Sequence, residues 1–277
     1  MSAATLKDLS KLCIHTITTK PWSLEQAIEK YSKKGIKGIS VWREWLDKNG
    51  PETSGKLLRE AGLDVVSLVR GGFFPGRSAE ERHKAVDENK KAIDEAAAIG
   101  APAVVLVCGA VPGQPLPESR KQITEGIASI LDHAASVSVK LSIEPLHPMY
   151  ADDRSAVNTL KQANDICDEL NSPLVGVAVD VYHVWWDPDL QREIERCGKS
   201  GYLFAFHICD WMTPTKDMLN DRGLMGEGCI NIKEIRGWVE EAGFTGYNEV
   251  EIFSNRWWNK DQDEFLESIV NGYLQHS

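Results

Sequence analysis

The sequence predicts a single α/β domain of the (β/α)8 or TIM-barrel type spanning residues 1–277. The chain has 277 residues, 42% hydrophobic and 26% charged, which is the balance of a globular protein with a large core. Short apolar segments alternate along its length with segments of helical spacing. Eight such apolar segments are visible, and no glycine-rich turn follows the first of them. This pattern favours the closed barrel over a doubly wound open sheet.

The eight candidate strands are mostly continuous apolar runs in which Val and Ile are prominent. Such runs are typical of strands covered on both faces, whereas a sheet with one face in water shows polar alternation. In chain order the predicted strands occupy residues 11–17, 35–42, 63–69, 101–108, 139–146, 173–181, 202–209 and 247–253.

Helical spacing marks the segments between the strands. In residues 23–35 the apolar side chains fall on one helix face, and Gly35 ends the pattern. A longer helix is predicted over residues 78–100, where a glycine again precedes the next strand. The order of apolar stripe, glycine and strand is what a repeated β/α unit requires.

Composition excludes several classes of partner. A formal net charge of −10 and a pI near 5.3 oppose binding to polyanions, so no nucleic-acid partner is expected. The sequence contains no apolar run of about 18 residues, which a membrane-spanning helix would need. Its first residues lack the features of a secretory signal. We therefore expect a cytoplasmic protein without a membrane partner.

Polar side chains stand at the ends of the predicted strands. In a (β/α)8 barrel these ends converge on one mouth, where such enzymes keep their chemistry. The candidates are His15 after the first strand, Arg70 after the third, Glu144 and His147 after the fifth, Asp180 and His183 at the sixth, His207 and Asp210 at the seventh, and Glu251 at the eighth.

Four of these candidates form a pattern that favours a metal site. Glu144, Asp180, His207 and Glu251 come one from each of four consecutive strands. Three carboxylates buried together without a cation would be costly, because like charges repel and each loses its hydration. A divalent ion removes that cost. Three oxygen ligands with one imidazole suit Mn²⁺, Mg²⁺ or Co²⁺, and also Zn²⁺.

The same strand ends carry a resemblance to a known superfamily. The motifs IEPLHP, VDVYHVWWDP, FHICDW and VEIFS, between residues 139 and 258, resemble the last four strands of sugar phosphate isomerases and epimerases with the xylose isomerase-like TIM barrel. That superfamily includes ketose 3-epimerases, inosose dehydratase, endonuclease IV and the barrel subunit of enzymes that cleave oxidised C-glycosides.

The resemblance implies a function and a role for each matched residue. It implies a metal-dependent isomerase or epimerase that removes a proton beside the carbonyl of a keto sugar, by enediolate chemistry. Glu144, Asp180, His207 and Glu251 would bind one divalent ion, with Mn²⁺ as the first choice. Glu144 and Glu251 would also carry the proton, and His183 would contact the substrate.

One departure from the epimerases keeps a second function open. Ketose 3-epimerases carry a substrate-binding carboxylate where this chain has Tyr150, and His147 stands nearby. A histidine has a pKa close to neutrality and is suited to act as a base. The resemblance to the C-glycoside-cleaving barrels then implies a lyase or dehydratase, with His147 as the base that eliminates a group from a 3-keto sugar, glycoside or inosose. The isomerase or epimerase is preferred because it describes most of the superfamily.

Further side chains indicate a small-molecule sugar substrate. Trp186 and Trp211 follow predicted strand ends, and sugars present CH faces that pack on indole rings. Arg222, in the glycine-containing loop 220–231, can reach a carboxylate, a phosphate or a hydroxyl group. His15 completes the predicted substrate-binding set.

Two other functions are less favoured. An endonuclease IV-type phosphodiesterase shares the fold but needs more histidines and a basic groove for DNA. A non-catalytic sugar-binding barrel would not need acid and base groups beside the metal ligands. Barrels of this kind commonly dimerise, so a homo-oligomer also stays open.

Overall fold

A closed barrel of eight parallel strands forms the centre of the protein. The computed structural model describes residues 6–277, so the first five residues of the predicted domain lie outside the described range. The barrel strands are β1 (Leu12–His15), β2 (Gly38–Trp42), β3 (Asp64–Gly72), β4 (Ala103–Val107), β5 (Lys140–Glu144), β6 (Val175–Asp180), β7 (Leu203–Ile208) and β10 (Asn248–Val250). They pair in the order β1-β10-β7-β6-β5-β4-β3-β2. The predicted (β/α)8 barrel is therefore confirmed.

The strands are connected by helices that surround the barrel. The α-helices are α1 (Leu24–Lys34), α2 (Pro51–Glu60), α3 (Ala79–Ile99), α4 (Leu116–Ser136), α5 (Leu160–Leu170), α6 (Val181–Val184), α7 (Leu190–Lys199), α8 (Ile232–Glu241), α9 (Asn255–Trp258) and α10 (Gln262–His276). Short 3-10 helices cover Arg43–Leu46 and Pro148–Tyr150. Between β7 and β10, the two-residue strands β8 (Asp210–Trp211) and β9 (Arg222–Gly223) pair antiparallel.

The two helices described from the sequence begin and end at recognisable caps. Ser23 caps α1 in a capping box with Gln26, and Ser78 caps α3 in the same way with Glu81. Gly35 and Gly100 follow the helices with φ of 80° and 81°, the left-handed conformation that glycine adopts without strain. The predicted limits of both helices agree with the structure because the residues at these caps specify them.

Alternation along the strands separates two cores. In β4, Val104 and Leu106 pack against the surrounding helices, whereas Val105 belongs to a smaller cluster inside the barrel. The interior also contains buried polar side chains, among them Ser40 and Ser67. A barrel interior is normally filled by branched apolar residues. Small hydroxyl groups in their place indicate that this interior supports a polar site.

Two strand ends differ from the prediction by three residues, and the others differ by at most two. The third strand was predicted to end at residue 69, but β3 continues to Gly72, where an added Cβ would lie 1.9 Å from the carbonyl oxygen of Val107. The glycines, which mark turns in most sequences, here allow close pairing with β4. The eighth strand was predicted to reach residue 253 but ends at Val250, which leaves Glu251 just beyond it.

The helices also bear on the prediction about membranes. Among residues 6–277, no helix combines the length and the apolar character that crossing a lipid bilayer would demand.

Candidate metal centre and active site

The four residues of the predicted metal site meet at the carboxyl ends of their strands. Glu144 and Asp180 end β5 and β6, His207 lies in β7, and Glu251 follows β10 directly. One ligand atom from each of them lies within 4.8 Å of the others, and all four residues are buried. His207 Nδ1 and Glu144 Oε1 lie 3.0 Å apart. The fold thus brings the selected residues together, and their role as ligands stays a prediction.

The cluster holds more negative charge than its own cations balance. Burial, assisted by Glu144 and Glu251, raises the pKa of Asp180 to about 7 against the opposing effect of Arg222. Burial alone would lower the pKa of His207, but the surrounding carboxylates, with Glu249 foremost, raise it to about 10. Both groups therefore hold protons more tightly than they do in water. A divalent cation would take the place of those protons.

Arg222 supplies the one permanent positive charge inside the cluster. The β8–β9 pair carries it back over the barrel mouth, where its Nη1 donates to Asp180 Oδ2 at 3.0 Å and to Glu251 Oε2 at 2.9 Å. Its guanidinium also lies over the ring of Tyr182, 4.3 Å from the centroid. One permanent positive charge does not balance three carboxylates, so the cluster can accommodate a second cation. The donor set of three carboxylates and one imidazole fits a hard or borderline divalent ion.

Glu249 is a further buried carboxylate, which the sequence analysis did not select. Its Oε2 accepts a hydrogen bond from Ser40 Oγ at 2.7 Å and lies 3.7 Å from His207 Nε2. That nitrogen has no hydrogen bond within residues 6–277. Metal-binding histidines commonly direct their second ring nitrogen at a carboxylate, which fixes the orientation of the ring. The signal was present, because Glu249 and Glu251 are two residues apart in an extended segment and point to the same side.

His15 was predicted to bind substrate, but in the structure its ring contacts two carboxylates, those of Glu249 and Glu251. Its Nδ1 lies 2.9 Å from Glu251 Oε1 and its Nε2 lies 3.1 Å from Glu249 Oε2. The ring is fully buried and does not line the cavity described below. The reason is that β1 is short and its last residue pairs with Ser40 inside the barrel.

A cavity of about 250 Å³ opens onto the cluster. This volume is below the roughly 300–1,000 Å³ of sites for drug-sized ligands, and it suits a ligand of about one sugar ring. The lining residues are Ile17, Trp42, Glu44, Arg70, Val107, Glu144, Leu146, Tyr150, Arg154, His183, Leu219, Arg222, Glu251 and Phe253. They include four of the predicted site residues, namely Glu144, His183, Arg222 and Glu251.

His183 lies in the cavity wall, and a hydrogen-bond donor faces each of its ring nitrogens. The main-chain N–H of His147 lies 3.2 Å from Nδ1, and Nη2 of Arg222 lies 3.2 Å from Nε2. Burial, followed by the charge of Arg222, lowers the pKa of His183 well below its ordinary value. The ring is therefore neutral.

His147, Trp186 and Trp211 are not brought into the cavity. The His147 ring packs against both tryptophans, 5.7 Å from the ring of Trp186 and 5.0 Å from that of Trp211. His147 Nδ1 accepts a hydrogen bond from the main-chain N–H of Met149, in the short 3-10 helix that Pro148 begins. The aromatic residues that do line the cavity are Trp42, Tyr150 and Phe253.

Tyr150 and Arg154 show what the sequence could and could not indicate. Tyr150 occupies the position where ketose 3-epimerases carry a carboxylate, and its hydroxyl group donates to the carbonyl of Met218. Arg154 lies four residues later in a loop, and no strand end or motif marks it. Tyr150 could be named from the sequence, whereas Arg154 could not.

Comparison with known proteins agrees with this fold. The family described as xylose isomerase-like TIM barrel matches residues 28–269. The crystal structure of protein SMc04130 from Sinorhizobium meliloti 1021 is 48% identical, covers 97% of this chain and 99% of its own, and superposes with a TM-score of 0.94. An inosose isomerase of Bacillus velezensis is 24% identical over 282 residues, which are 95% of this chain and 98% of its own length.

A third similar protein was crystallised with a metal. The structure described as IOLI protein with a binding zinc atom is 22% identical, covers 96% of this chain and 99% of its own, and has a TM-score of 0.83. At this level of identity the likeness concerns the fold. Because the family match extends over most of the chain, the protein belongs to the xylose isomerase-like TIM barrel family.

Proposed function

We propose that this protein is a divalent-metal-dependent isomerase or epimerase of a keto sugar or sugar derivative. The observation that carries the proposal is the buried cluster of Glu144, Asp180, His207 and Glu251 at the floor of a cavity of about 250 Å³. The inosose isomerase among its relatives acts on a small cyclic polyol ketone by name, which supports a substrate of this class.

One divalent ion is the proposed cofactor, with Mn²⁺ first and Mg²⁺, Co²⁺ or Zn²⁺ as alternatives. The four clustered residues would hold it. When bound, the ion would stabilise the negative charge that develops on a substrate carbonyl as the neighbouring carbon loses its proton.

Glu144 and Glu251 are the proposed proton carriers, and Glu144 is the one that would accept the proton first. Its Oε1 contacts His207, whereas its Oε2 receives no hydrogen bond from residues 6–277. Glu251 differs, since His15 contacts its Oε1 at 2.9 Å and Arg222 donates to its Oε2 at 2.9 Å. Glu144 therefore has the oxygen that is free to accept a proton, and Glu251 is the more strongly held partner.

The relative positions of the two glutamates support an epimerase in particular. β5, which ends in Glu144, and β10, which precedes Glu251, are separated in the barrel by β6 and β7. The two carboxylates therefore approach the cavity from different sides. An enzyme that removes a proton from one face of a carbon and returns a proton to the other requires such an arrangement. His183 and Arg222, which line the same cavity, would orient the substrate oxygens.

The position of His147 supports this proposal over the lyase. A base for elimination must come within hydrogen-bond reach of the substrate. The His147 ring instead contacts Trp186 and Trp211 outside the cavity lining. The small cavity and the charge of −10 also disfavour a DNA phosphodiesterase.

Solvent hydrogen exchange tests the proposal. The metal-loaded protein would be incubated in D₂O with a panel of ketoses and 3-keto glycosides, and the position of deuterium determined by NMR. We expect deuterium on the carbon beside the carbonyl. Glu144→Gln should slow this exchange about 10²- to 10⁴-fold, which is the usual contribution of a general base. His147→Asn should leave it close to the wild-type rate.

His83→Asn serves as a matched control, because His83 is exposed on α3, far along the chain from the site residues. Metal occupancy is measured in every variant, so that loss of the ion is separated from loss of the base. Fast exchange in Glu144→Gln together with slow exchange in metal-loaded His147→Asn would contradict the proposal and favour the lyase.

A further inference from the structure

Two arginines at the cavity differ from the other arginines of the protein. Within residues 6–277, neither Arg70 nor Arg154 donates a side-chain hydrogen bond, and neither guanidinium lies within 4.0 Å of a carboxylate oxygen. The remaining arginines each donate to a carboxylate or a main-chain carbonyl; these are Arg43, Arg59, Arg77, Arg82, Arg120, Arg192, Arg196, Arg222, Arg236 and Arg256.

The fold directs Arg70 to the cavity. The pairing of β3 with β4 passes from Val69 to Gly71 and skips Arg70, which makes it the extra residue of a β-bulge. Bulges next to active sites commonly re-aim a side chain. The guanidinium then lies 4.7 Å from the ring centroid of Phe73 and 5.9 Å from that of Trp42. These aromatic faces fix the position of the charge without neutralising it.

Arg154 reaches the same cavity from the opposite side of β4. It lies in the loop after β5, and its guanidinium is 5.6 Å from the ring centroid of Tyr150. Burial lowers the pKa of Arg70, Glu44 acts in the opposite direction, and the charge of Arg154 lowers it again. The two positive charges are therefore close enough to repel each other. An arginine nevertheless stays protonated, so the repulsion persists in the absence of an anion.

We propose that Arg70 and Arg154 together bind a carboxylate group of the substrate, which makes the substrate a keto sugar acid. This inference rests on the proposed function and adds to it the class of substrate. A guanidinium offers parallel N–H donors that match the two oxygens of a carboxylate. Glu144 and His183 line the same cavity, so the reacting carbons would lie at the cluster while the carboxylate occupies the outer end.

A carboxylate fits this site better than a phosphoryl group. The cavity of about 250 Å³ has little volume beyond one sugar ring. Phosphate sites usually include main-chain N–H groups at the start of a helix. The walls next to the two arginines instead include the apolar side chains of Val107 and Leu146.

Binding measurements on the wild-type protein test the substrate class without depending on catalysis. Isothermal titration of the Mn²⁺-loaded protein would compare D-fructuronate, D-fructose and D-fructose 6-phosphate, which share a carbon chain and differ at the sixth carbon. We expect the acid to bind at least about 10-fold more tightly than the neutral sugar, because a hydrogen bond to a charged group adds about this much. The phosphate should bind more weakly than the acid.

Substitution of the two arginines locates the effect. Arg70→Met and Arg154→Met should each weaken binding of D-fructuronate about 10- to 100-fold. The same variants should leave D-fructose binding within about 3-fold of wild type, since the neutral sugar has no group for the arginines. Arg77→Met is the matched control, because Arg77 is an exposed arginine whose guanidinium donates to the carbonyl of Pro112.

The outcomes separate this inference from the proposed function. Equal binding of the acid and the neutral sugar to wild type, or preference for the phosphate, would overturn the inference and leave the exchange reaction standing. Preference for the acid without any hydrogen exchange would support the arginine site and count against the isomerase or epimerase. If one variant fails to fold, the wild-type preference and the other variant still decide the matter.

Discussion

The two halves of the barrel contribute to the site in different ways. The second half supplies the predicted metal ligands, one from each of β5, β6 and β7 and one just after β10. The first half supplies none of the four. It provides His15, Ser40 and Ser67, whose side chains contact the Glu249 carboxylate. The difference teaches that the second half contains all four predicted ligands, whereas the orientation of their side chains depends on both halves.

Glu249 is the residue that joins the two halves. It lies in β10, yet its partners come from β1, β2 and β3. It is buried and accepts from Ser40 Oγ at 2.7 Å. Burying a carboxylate is costly unless hydrogen bonds satisfy it. Ser40 and Ser67 lie inside the first half of the barrel, where branched apolar residues would otherwise pack. The reason is that they stabilise the charge of Glu249, which belongs to the second half.

The largest expected effect follows from removing a ligand in the second half. Glu251→Gln should lower the affinity for Mn²⁺ more than about 100-fold, because a direct anionic ligand matters more than a supporting residue, for which losses of roughly 10- to 100-fold are typical. Elemental analysis of the purified protein and a competitive metal titration are the measurements.

Glu52→Gln is the matched control from the first half. Glu52 is exposed at the start of α2, and its substitution should leave metal content unchanged. Equal metal content in wild type and Glu251→Gln would show that Glu251 is not a metal ligand. The proposed difference between the two halves of the barrel would then be wrong.

A smaller loss of metal affinity is expected when residues that orient the ligands, such as Glu249, are substituted. Glu249→Gln should weaken Mn²⁺ binding about 10- to 100-fold through misorientation of His207. Ser40→Ala should act in the same direction but more weakly, since it removes one hydrogen bond of several to the same carboxylate. The Co²⁺-substituted protein adds a second measurement, because its visible absorption reports changed ligand geometry. An unchanged spectrum and affinity in Glu249→Gln would mean that the four ligands keep their orientation without Glu249 and its partners in the first half.

The smallest predicted effect concerns pH and the metal-free protein. An imidazole whose pKa rises from 6.5 to about 10 on folding contributes stability below about pH 6.5 and loses it as the pH rises through 10. A carboxyl group whose pKa rises from 3.8 to about 7 contributes stability at low pH and loses it as the pH rises through 7. His207 and Asp180 therefore act in the same direction.

Thermal unfolding in the presence of a chelator measures this effect. Between about pH 6 and pH 9 the Tm of the metal-free protein should fall by at least about 2–4 °C, the change that accompanies roughly 1 kcal/mol in a protein of this size. The Mn²⁺-loaded protein should not show the fall, since the ion replaces the protons. A Tm that rises with pH in the metal-free protein would mean that the cluster carries no excess negative charge.

The fold and the clustering of the four candidate ligands could be predicted from the sequence because both depend on local order. The order of residues alone reveals continuous apolar strands, capped helices and one polar residue at the end of each of the last four strands. Glu144, Asp180, His207 and Glu251 come together because parallel strands in a barrel end at the same rim.

The residues that orient the candidate ligands and those that line the cavity depend on three-dimensional geometry, which the residue order does not reveal. The His147 ring accepts a hydrogen bond from Met149 in the 3-10 helix that Pro148 begins, and it contacts Trp186 and Trp211 instead of lining the cavity. Arg70 depends on a bulge that only the pairing with β4 reveals. Such features arise from register and loop conformation, for which the residue types alone give no signal.

Arg222 has a consequence for how the protein matures. Its guanidinium already lies against Asp180 and Glu251, so the newly made chain brings a counter-charge of its own to the barrel mouth. A zinc finger has no such substitute and remains unfolded until its ion arrives. Under the proposed function, the barrel would close first and take up its ion afterwards. The choice of ion would then depend on the finished site and on the metals available around it, and one ion could be exchanged for another without new synthesis of the chain.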